Sequence, residues 1–335
     1  MRIFSGIQPT GRKHLGNFIG AIEQYVALQD RGEAIYCIVD LHATTVPYEP
    51  AVLRERLYDT AAILLAAGLD PRRCVFFRQG DVPEHTELTW LLSSVTAFGD
   101  LNRMHQFKDK AGRQRDLASA SLFTYPVLMA ADVLAYRAHQ VPVGDDQRQH
   151  IELMRDIAER FNARFAPDAA EPPLVVPEGV YREVGARIMD LQQPERKMST
   201  TGGTEQGTVY VLDEPKAIER KFKRAVTDSG TEICHDRERK PGISNLIEIY
   251  AAVRKVSFAD VEREFADARY GEFKAAVAEA VIELLRPVQE RYAELRPDED
   301  ALEATLAEGA EKARAIAAET VADVSVVRIV TLIEF

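Results

Sequence analysis

The chain has 335 residues, of which 46% are apolar and 28% charged, and its formal net charge is −11. This length suits two domains better than one simple core, and the composition is that of an ordinary globular protein. The negative charge argues against bulk, non-specific binding to nucleic acid. No stretch approaches the roughly 18 consecutive apolar residues of a membrane helix.

The three cysteines, Cys37, Cys74 and Cys234, stand far apart and have no histidine cluster near them. They therefore predict neither a disulfide framework nor a zinc site. The first six residues turn polar too soon for a signal peptide. Together these features favour a cytoplasmic protein.

Short apolar runs alternate with helical patterns in the first half of the chain, which predicts a parallel sheet with crossover helices. Strands are expected at 2–5, 35–39, 75–78, 140–143 and 187–191. Helices are expected at about 16–30, 51–67, 84–98, 118–135 and 147–165, with a proline-rich loop or linker at 166–180. The ligand crevice of such a sheet lies beyond the carboxyl ends of its strands, here at 6–11, 40–44 and 79–82.

Beyond residue 213 the pattern is almost wholly helical, with helices expected at 214–226, 242–253, 258–268, 271–296 and 299–320. Pro287 should kink or split the fourth of these. The sequence thus predicts an α/β domain at 1–205 with a helical insertion at about 84–180, then a helical domain at 206–320. The remaining stretch, 321–335, reads as a β-prone apolar tail without a functional interpretation.

The first candidate site is the polar, glycine-rich segment 5–11 and its continuation His14-Leu15-Gly16-Asn17. A strand that ends in such a loop at a helix N-terminus favours phosphate binding, although the segment matches neither a dinucleotide fingerprint nor a P-loop. Gly16 would let a flat ring approach the backbone. His14 and Asn17 could donate hydrogen bonds to phosphate oxygens. A helix cap with an incidental histidine is the alternative.

The second candidate site is the loop Lys197-Met198-Ser199-Thr200-Thr201, which two glycines follow. A polar loop with a lysine is suited to fold over a polyphosphate, because lysine is a mobile point charge. Considered alone, the segment is more typical of an ordinary surface loop.

The two signatures in this order resemble the class I aminoacyl-tRNA synthetases. Within that class the chain is similar to the bacterial tryptophanyl enzymes over most of its length, at 4–11, 37–42, 124–132, 141–147, 184–189 and 240–246. The resemblance implies a Rossmann-like parallel-sheet catalytic domain followed by an all-helical tRNA-binding domain.

The resemblance also implies the reaction. ATP activates L-tryptophan to tryptophanyl-adenylate with release of pyrophosphate, and tryptophan then passes to tRNA(Trp). Mg²⁺ would be carried by the ATP phosphates, without a dedicated protein ligand. Catalytic roles fall on His14, Asn17, Lys197 and Ser199. The positions that match ATP-binding residues of the family are Gln8, Pro9, Thr10, Gly16, Asn17, Gly144, Asp145, Asp146, Ile188, Lys197, Met198, Ser199, Thr200 and Thr201.

The spacing of Tyr125, Met129, Asp132 and Tyr136 places them on one helix face, which by itself is more typical of core than of a pocket. An unpaired carboxylate on such an apolar face is costly. The resemblance implies that this face lines the tryptophan pocket and that Asp132 accepts the indole N–H, so that it finds its partner only when substrate binds. The residues that the resemblance assigns to the pocket are Phe4, His42, Tyr125, Met129, Asp132, Val141, Val143 and Gln147.

The signature loop departs from the family pattern, because Thr200 stands where a second lysine is usual. We expect Lys197 to keep the main phosphate contact and the N–H groups of residues 201–203 to replace part of the missing charge.

The family works as a homodimer, and the helical half is expected to read the CCA anticodon through stacking and edge hydrogen bonds. A basic cluster that could serve as a local patch, or simply as a solvated helix face, comprises Lys216, Arg220, Lys221, Lys223 and Arg224. Two other functions stay open: a tyrosyl-tRNA synthetase of the same fold, and a weakly catalytic regulator that binds tryptophan or RNA.

Overall fold

The structure is a computed structural model that describes residues 1–104, 119–181, 188–200 and 202–333, with side chains described up to residue 327. Within these residues, five parallel strands form a sheet in the order β3-β2-β1-β4-β5. Because β2 and β4 lie on opposite sides of β1, the direction of the crossovers reverses there, as at the ligand-binding switch point of doubly wound sheets. The strands are β1 (Arg2–Ile7), β2 (Glu33–Ile38), β3 (Cys74–Arg78), β4 (Gln140–Pro142) and β5 (Glu178–Val180).

The strands β1 to β4 lie where the apolar runs predicted strands. The fifth strand lies elsewhere than predicted. The expected strand at 187–191 is wrong for its described part, since Met189 forms only an isolated antiparallel bridge with Lys197. Arg187 lies outside the described residues. The fifth strand comes instead from the stretch assigned to a loop. It has only three residues and follows Pro177, so it gives no periodic signal.

Helices cover the sheet and build the second half of the chain. The segment expected as one helix at 16–30 is α1 (Leu15–Asn17), a π-helical turn (Phe18–Ile22) and α2 (Glu23–Leu28). Next come α3 (Asp40–Ala43), α4 (Pro50–Ala66), α5 (Glu84–Ser93), α6 (Phe98–Arg103), α7 (Ala120–Leu134) and α8 (Arg148–Phe165). The second half contains α9 (Pro215–Lys223), α10 (Pro241–Arg254), α11 (Phe258–Glu264), α12 (Tyr270–Leu295) and α13 (Glu299–Ile333).

Two helix predictions need correction. The helix expected at 84–98 ends at Ser93, because the hydroxyls of Ser94 and Thr96 donate to the carbonyls of Leu91 and Leu92. Such bonds compete with the backbone ladder and favour a helix end. Pro287 does not split its helix, which runs unbroken from Tyr270 to Leu295, and a kink at Pro287 stays a prediction.

The C-terminal stretch is helical, which corrects the prediction of a β-prone tail. Helix α13 continues to Ile333, with Val321 and Val324 buried against the core. It runs along the edge strand β3 so closely that a Cβ on Gly309 would lie 1.8 Å from the carbonyl oxygen of Phe76. Burial of Val321 and Val324 in the core overrides their β-propensity, and the helix covers an otherwise open strand edge.

One apolar core joins the two halves of the chain. Residues of the N-terminal sheet layer, such as Leu15 and Tyr36, belong to the same buried cluster as Ile247 and Leu285 of the helical half. None of the described helices is both long enough and apolar enough to span a bilayer.

Candidate active site

Two adjoining cavities open at the carboxyl end of the sheet, beside the switch point between β1 and β4. The inner cavity has a volume of about 470 Å³, with Phe4 of β1 and Val141 of β4 in its wall. The outer cavity has a volume of about 480 Å³ and lies under the second signature loop. Because Gln8, Asn17 and Gly144 contribute to both walls, two ligands bound there would touch.

All eight residues expected to hold tryptophan line the inner cavity: Phe4, His42, Tyr125, Met129, Asp132, Val141, Val143 and Gln147. Strand alternation and the single face of α7 bring them together. Tyr136, expected on the same face, instead lies fully buried behind the cavity wall, where it stacks on Phe4 and bonds to His85. Its role in the structure is to support Phe4.

Asp132 is buried, with 2% exposure, and other side chains contact both of its carboxylate oxygens without a ligand. His42 Nε2 lies 2.8 Å from its Oδ2, and the side-chain amide of Gln79 donates to its Oδ1 at 2.7 Å. Nδ1 of His85 lies 2.8 Å from Oδ1 as well. Sequence reasoning was therefore wrong that the carboxylate waits for substrate to find a partner.

The charge state of Asp132 follows from these contacts. Burial by itself would raise its pKa, but the contacts with His42 and His85 outweigh burial and hold the pKa well below its usual range. The cavity therefore ends in a fixed carboxylate, which is suited to accept a hydrogen bond from an N–H donor.

The outer cavity gathers most of the residues expected to bind ATP. They are Gln8, Thr10, His14, Gly16, Asn17, Gly144, Asp145, Asp146, Lys197, Met198, Ser199 and Thr200. Pro9 and Ile188 are buried just outside the cavity wall, where Ile188 packs against the backbone at Gly16. Thr201 lies outside the described residues.

His14 is the N-cap of α1, and its environment fixes its protonation state. Its Nδ1 accepts a hydrogen bond from the backbone N–H of Asn17, while the Asn17 side chain accepts one from the backbone N–H of His14. Burial and the nearby charges of Lys197 and Lys13 lower its pKa to about 4. His14 is therefore neutral at pH 7, and because Nδ1 is an acceptor, Nε2 carries the proton.

The signature loop reaches across the outer cavity. Lys197 Nζ lies 4.0 Å from a carboxylate oxygen of Asp146 on the opposite wall. Thr200 docks on the first signature, where its hydroxyl donates to the carbonyl of Arg12 at 3.2 Å. The expected anion nest is not present at Gly202 and Gly203, because their N–H groups already donate to Ser199 within the turn.

Two buried side chains that sequence reasoning missed fix the base of this loop. The amide of Asn245, on α10, accepts from the N–H of Met189 and donates to its carbonyl, at 2.9 and 3.0 Å. The fully buried carboxylate of Asp190 accepts from the N–H groups of Gln192 and Thr204, so it ties both ends of the loop. The only sequence signal of Asn245 was its place in segment 240–246, which resembles the family, and Asp190, just beyond segment 184–189, gave no signal.

The other missed residues are Gln79, His85 and Lys13. Gln79 follows β3 at a position where the crevice was expected, so a polar side chain after a strand could have been recognised. His85 gave no such signal.

The expected basic patch loses one member, since Lys221 is buried and bonded to Asp213 at 2.6 Å.

The family model described as tRNA synthetases class I (W and Y) matches residues 1–286, and the chain belongs to that family. The predicted class and the α/β fold are thereby confirmed. Tryptophan–tRNA ligase 2 of Streptomyces avermitilis is 50% identical over 321 residues, which cover 95% of this chain and 94% of that protein.

Solved structures agree with this assignment. The tryptophanyl-tRNA synthetase of Mycoplasma pneumoniae matches with a TM-score of 0.87 and 33% identity, covering 96% of this chain and 95% of that one. The enzyme of Campylobacter jejuni, complexed with ADP and tryptophan, matches with a TM-score of 0.80 and 33% identity over 100% of both chains.

Proposed function

We propose that this chain is a tryptophan–tRNA ligase, which forms tryptophanyl-adenylate from L-tryptophan and ATP and then transfers tryptophan to tRNA(Trp). The observation that carries the proposal is the pair of adjoining cavities. One ends in the fixed carboxylate of Asp132, and the other is bordered by His14 and Lys197. Activation of a carboxylate by ATP needs two such sites side by side.

Tryptophan binds in the inner cavity, with its indole N–H directed at Asp132. Met129 is half-buried in the wall and adapts to a flat ring, while Tyr125 and His42 meet edge to face. A site built around one hydrogen bond rejects analogues that lack the donor by about 10⁴- to 10⁵-fold. Phenylalanine, which has no ring N–H, is therefore excluded.

ATP binds in the outer cavity, with its α-phosphate near the shared wall so that the tryptophan carboxylate attacks in line. The N–H at Nε2 of neutral His14 donates to a phosphate oxygen. Lys197 stabilises the negative charge that develops on pyrophosphate as it leaves. Asn17 retains its amide N–H₂ for the same purpose, because only its oxygen is used in the cap. Ser199 and Thr200 continue the loop over the phosphates.

Mg²⁺ carried by the ATP phosphates would supply positive charge to the leaving pyrophosphate. Asp145 is paired with Arg148, and Asp146 accepts from Gln147. These carboxylates fit an ion held by phosphate oxygens and water better than one held in a protein cage. No set of three metal-ligating side chains occurs among the described residues.

The partners extend beyond the active site. We propose that the protein acts in the cytoplasm as a homodimer, an assembly that the exposed side chains of Trp90 (77%) and Phe98 (72%) support. The helical part from residue 206 reads the anticodon, with Lys216, Arg220, Lys223 and Arg224 as exposed cations. Residues 1–205 form the catalytic part.

Amino-acid-dependent exchange between ATP and pyrophosphate tests the first step. Exchange should require tryptophan and fail with phenylalanine. Exchange with tyrosine but not tryptophan would assign the chain to the tyrosyl enzymes instead.

Charging of a tRNA with a CCA anticodon tests the second step, with a tRNA of another anticodon as the control. Efficient adenylate formation without transfer to this tRNA would indicate a regulator rather than a ligase.

A further inference from the structure

Lys13 is a buried lysine in the loop that joins β1 to α1, directly before His14 of the first signature. Its residue exposure is 6%, and its ammonium donates to the carbonyl oxygen of Gln8 at 2.6 Å. Lysine has three donors, and this is the one hydrogen bond that the described residues give it. None of the ion pairs in the described part of the chain includes Lys13.

The carboxylate that acts electrostatically on Lys13 is that of Asp59, and other side chains already bind it. Asp59 of α4 accepts from Arg56 at one oxygen and from Tyr292 and Arg296 at the other. Burial first, and then repulsion by Arg56, lower the pKa of Lys13 to about 7, and Asp59 only partly opposes them. A buried ammonium without a counter-ion is costly unless a ligand supplies the negative charge.

The outer cavity is where such a ligand would lie. Lys13 contributes to its wall together with His14 and Lys197. At this point the signature loop presents Thr200, which brings no charge and docks on the carbonyl of Arg12. The N–H groups of Gly202 and Gly203 are used inside the loop. Lys13 is therefore a cation in the wall of the cavity that this loop covers.

We propose that Lys13 is the second cation of the phosphate site, binding the polyphosphate of ATP and the pyrophosphate product opposite Lys197. The proposal rests on the proposed ATP site in the outer cavity. In the free protein the ammonium is held by the Gln8 carbonyl, and phosphate oxygens replace or join that acceptor when ATP binds.

This role makes ATP binding linked to protonation. A bound polyphosphate raises the pKa of Lys13, so ATP binding above pH 7 takes up a proton, and ATP affinity falls as pH rises from 7. Other charged or titratable groups face Lys13 from the neighbouring elements. They are Arg56 and Asp59 of α4, His14 of the following helix, Lys197 of the loop, and Arg12 and Tyr210 beside it.

The test compares Lys13→Met with Lys312→Met, an exposed lysine on α13 that serves as the matched control. Lys13→Met should weaken ATP binding about 10- to 100-fold, the range for loss of a hydrogen bond to a charged group, and leave tryptophan binding unchanged. The control should bind ATP as the native protein does. Equal ATP affinity of Lys13→Met and the native protein would overturn the proposal.

Calorimetry of ATP binding in buffers of different ionisation enthalpy gives a second readout, which does not depend on the variant's folding. At pH 8 the native protein should take up about one proton per ATP, and Lys13→Met should lose that uptake. If Lys13 only held the Gln8 loop, native uptake would be absent, and ATP and tryptophan affinity would fall together. A native protein without tryptophan-dependent exchange would instead refute the ATP site itself.

Discussion

His42 and Asp132 form a buried pair at the end of the inner cavity, with 2.8 Å between Nε2 and Oδ2. The contact joins α3, which follows β2, to α7, and Gln79 after β3 completes it through the other carboxylate oxygen. Three separate segments thus hold one acceptor in a fixed orientation before any ligand arrives. Such preorganisation lowers the cost of orienting the site on binding.

Asp132→Asn should weaken tryptophan binding by about 10- to 100-fold, because the hydrogen bond to a charged acceptor is lost. Thermal stability should also fall, since His42 and Gln79 lose their partner. Tryptophan KM in the exchange assay and thermal melts measure the two effects. Asp323→Asn, which alters an exposed carboxylate on α13, is the control and should change neither.

Asn245→Ala should raise the KM for ATP about tenfold while the tryptophan affinity stays unchanged, because Met189 loses both backbone partners and the loop base loosens. Asn162→Ala is a matched control: Asn162 holds the backbone of Leu174 in the same two-bond manner, far from the loop. An equal ATP defect in both variants would show that the effect is general destabilisation.

Acid should destabilise the protein through His14. Its folded pKa of about 4 lies below the ordinary value of 6.5, so the unfolded chain binds more protons between these values. The contribution of neutral His14 to the free energy of unfolding is complete above pH 6.5. It is lost as the pH falls towards 4, and the loss is about 3 kcal/mol at most. Denaturant unfolding between pH 4 and 7 should show a shallower pH dependence for His14→Gln than for the native protein.

Gly309→Ala should lower the melting temperature by several degrees, because its Cβ would overlap the carbonyl of Phe76 and push α13 away from β3. Gly271→Ala is the control on another helix, since its Cβ meets nothing within 4 Å. The control should be neutral or slightly stabilising. Equal melting temperatures for both variants would contradict the tight contact.

Apolar runs were enough to predict the sheet's first four strands, because such runs are local properties that do not depend on the fold. The residues of the inner cavity came from the resemblance to the class I synthetases. That resemblance rested on the order of the two signatures, with His14 and Lys197, and on the further matching segments between and beyond them.

The surroundings of these chemical groups depend on how distant parts of the chain pack together, and the sequence did not predict them. Gln79 and His85 contact Asp132 across 53 and 47 residues of chain. Asp59 is bound by Arg296, so Lys13 has no counter-ion among the described residues. Likewise, valines that favour a strand locally become a helix because α13 buries them against the core. Pairing and burial depend on distant residues, and no local pattern encodes them.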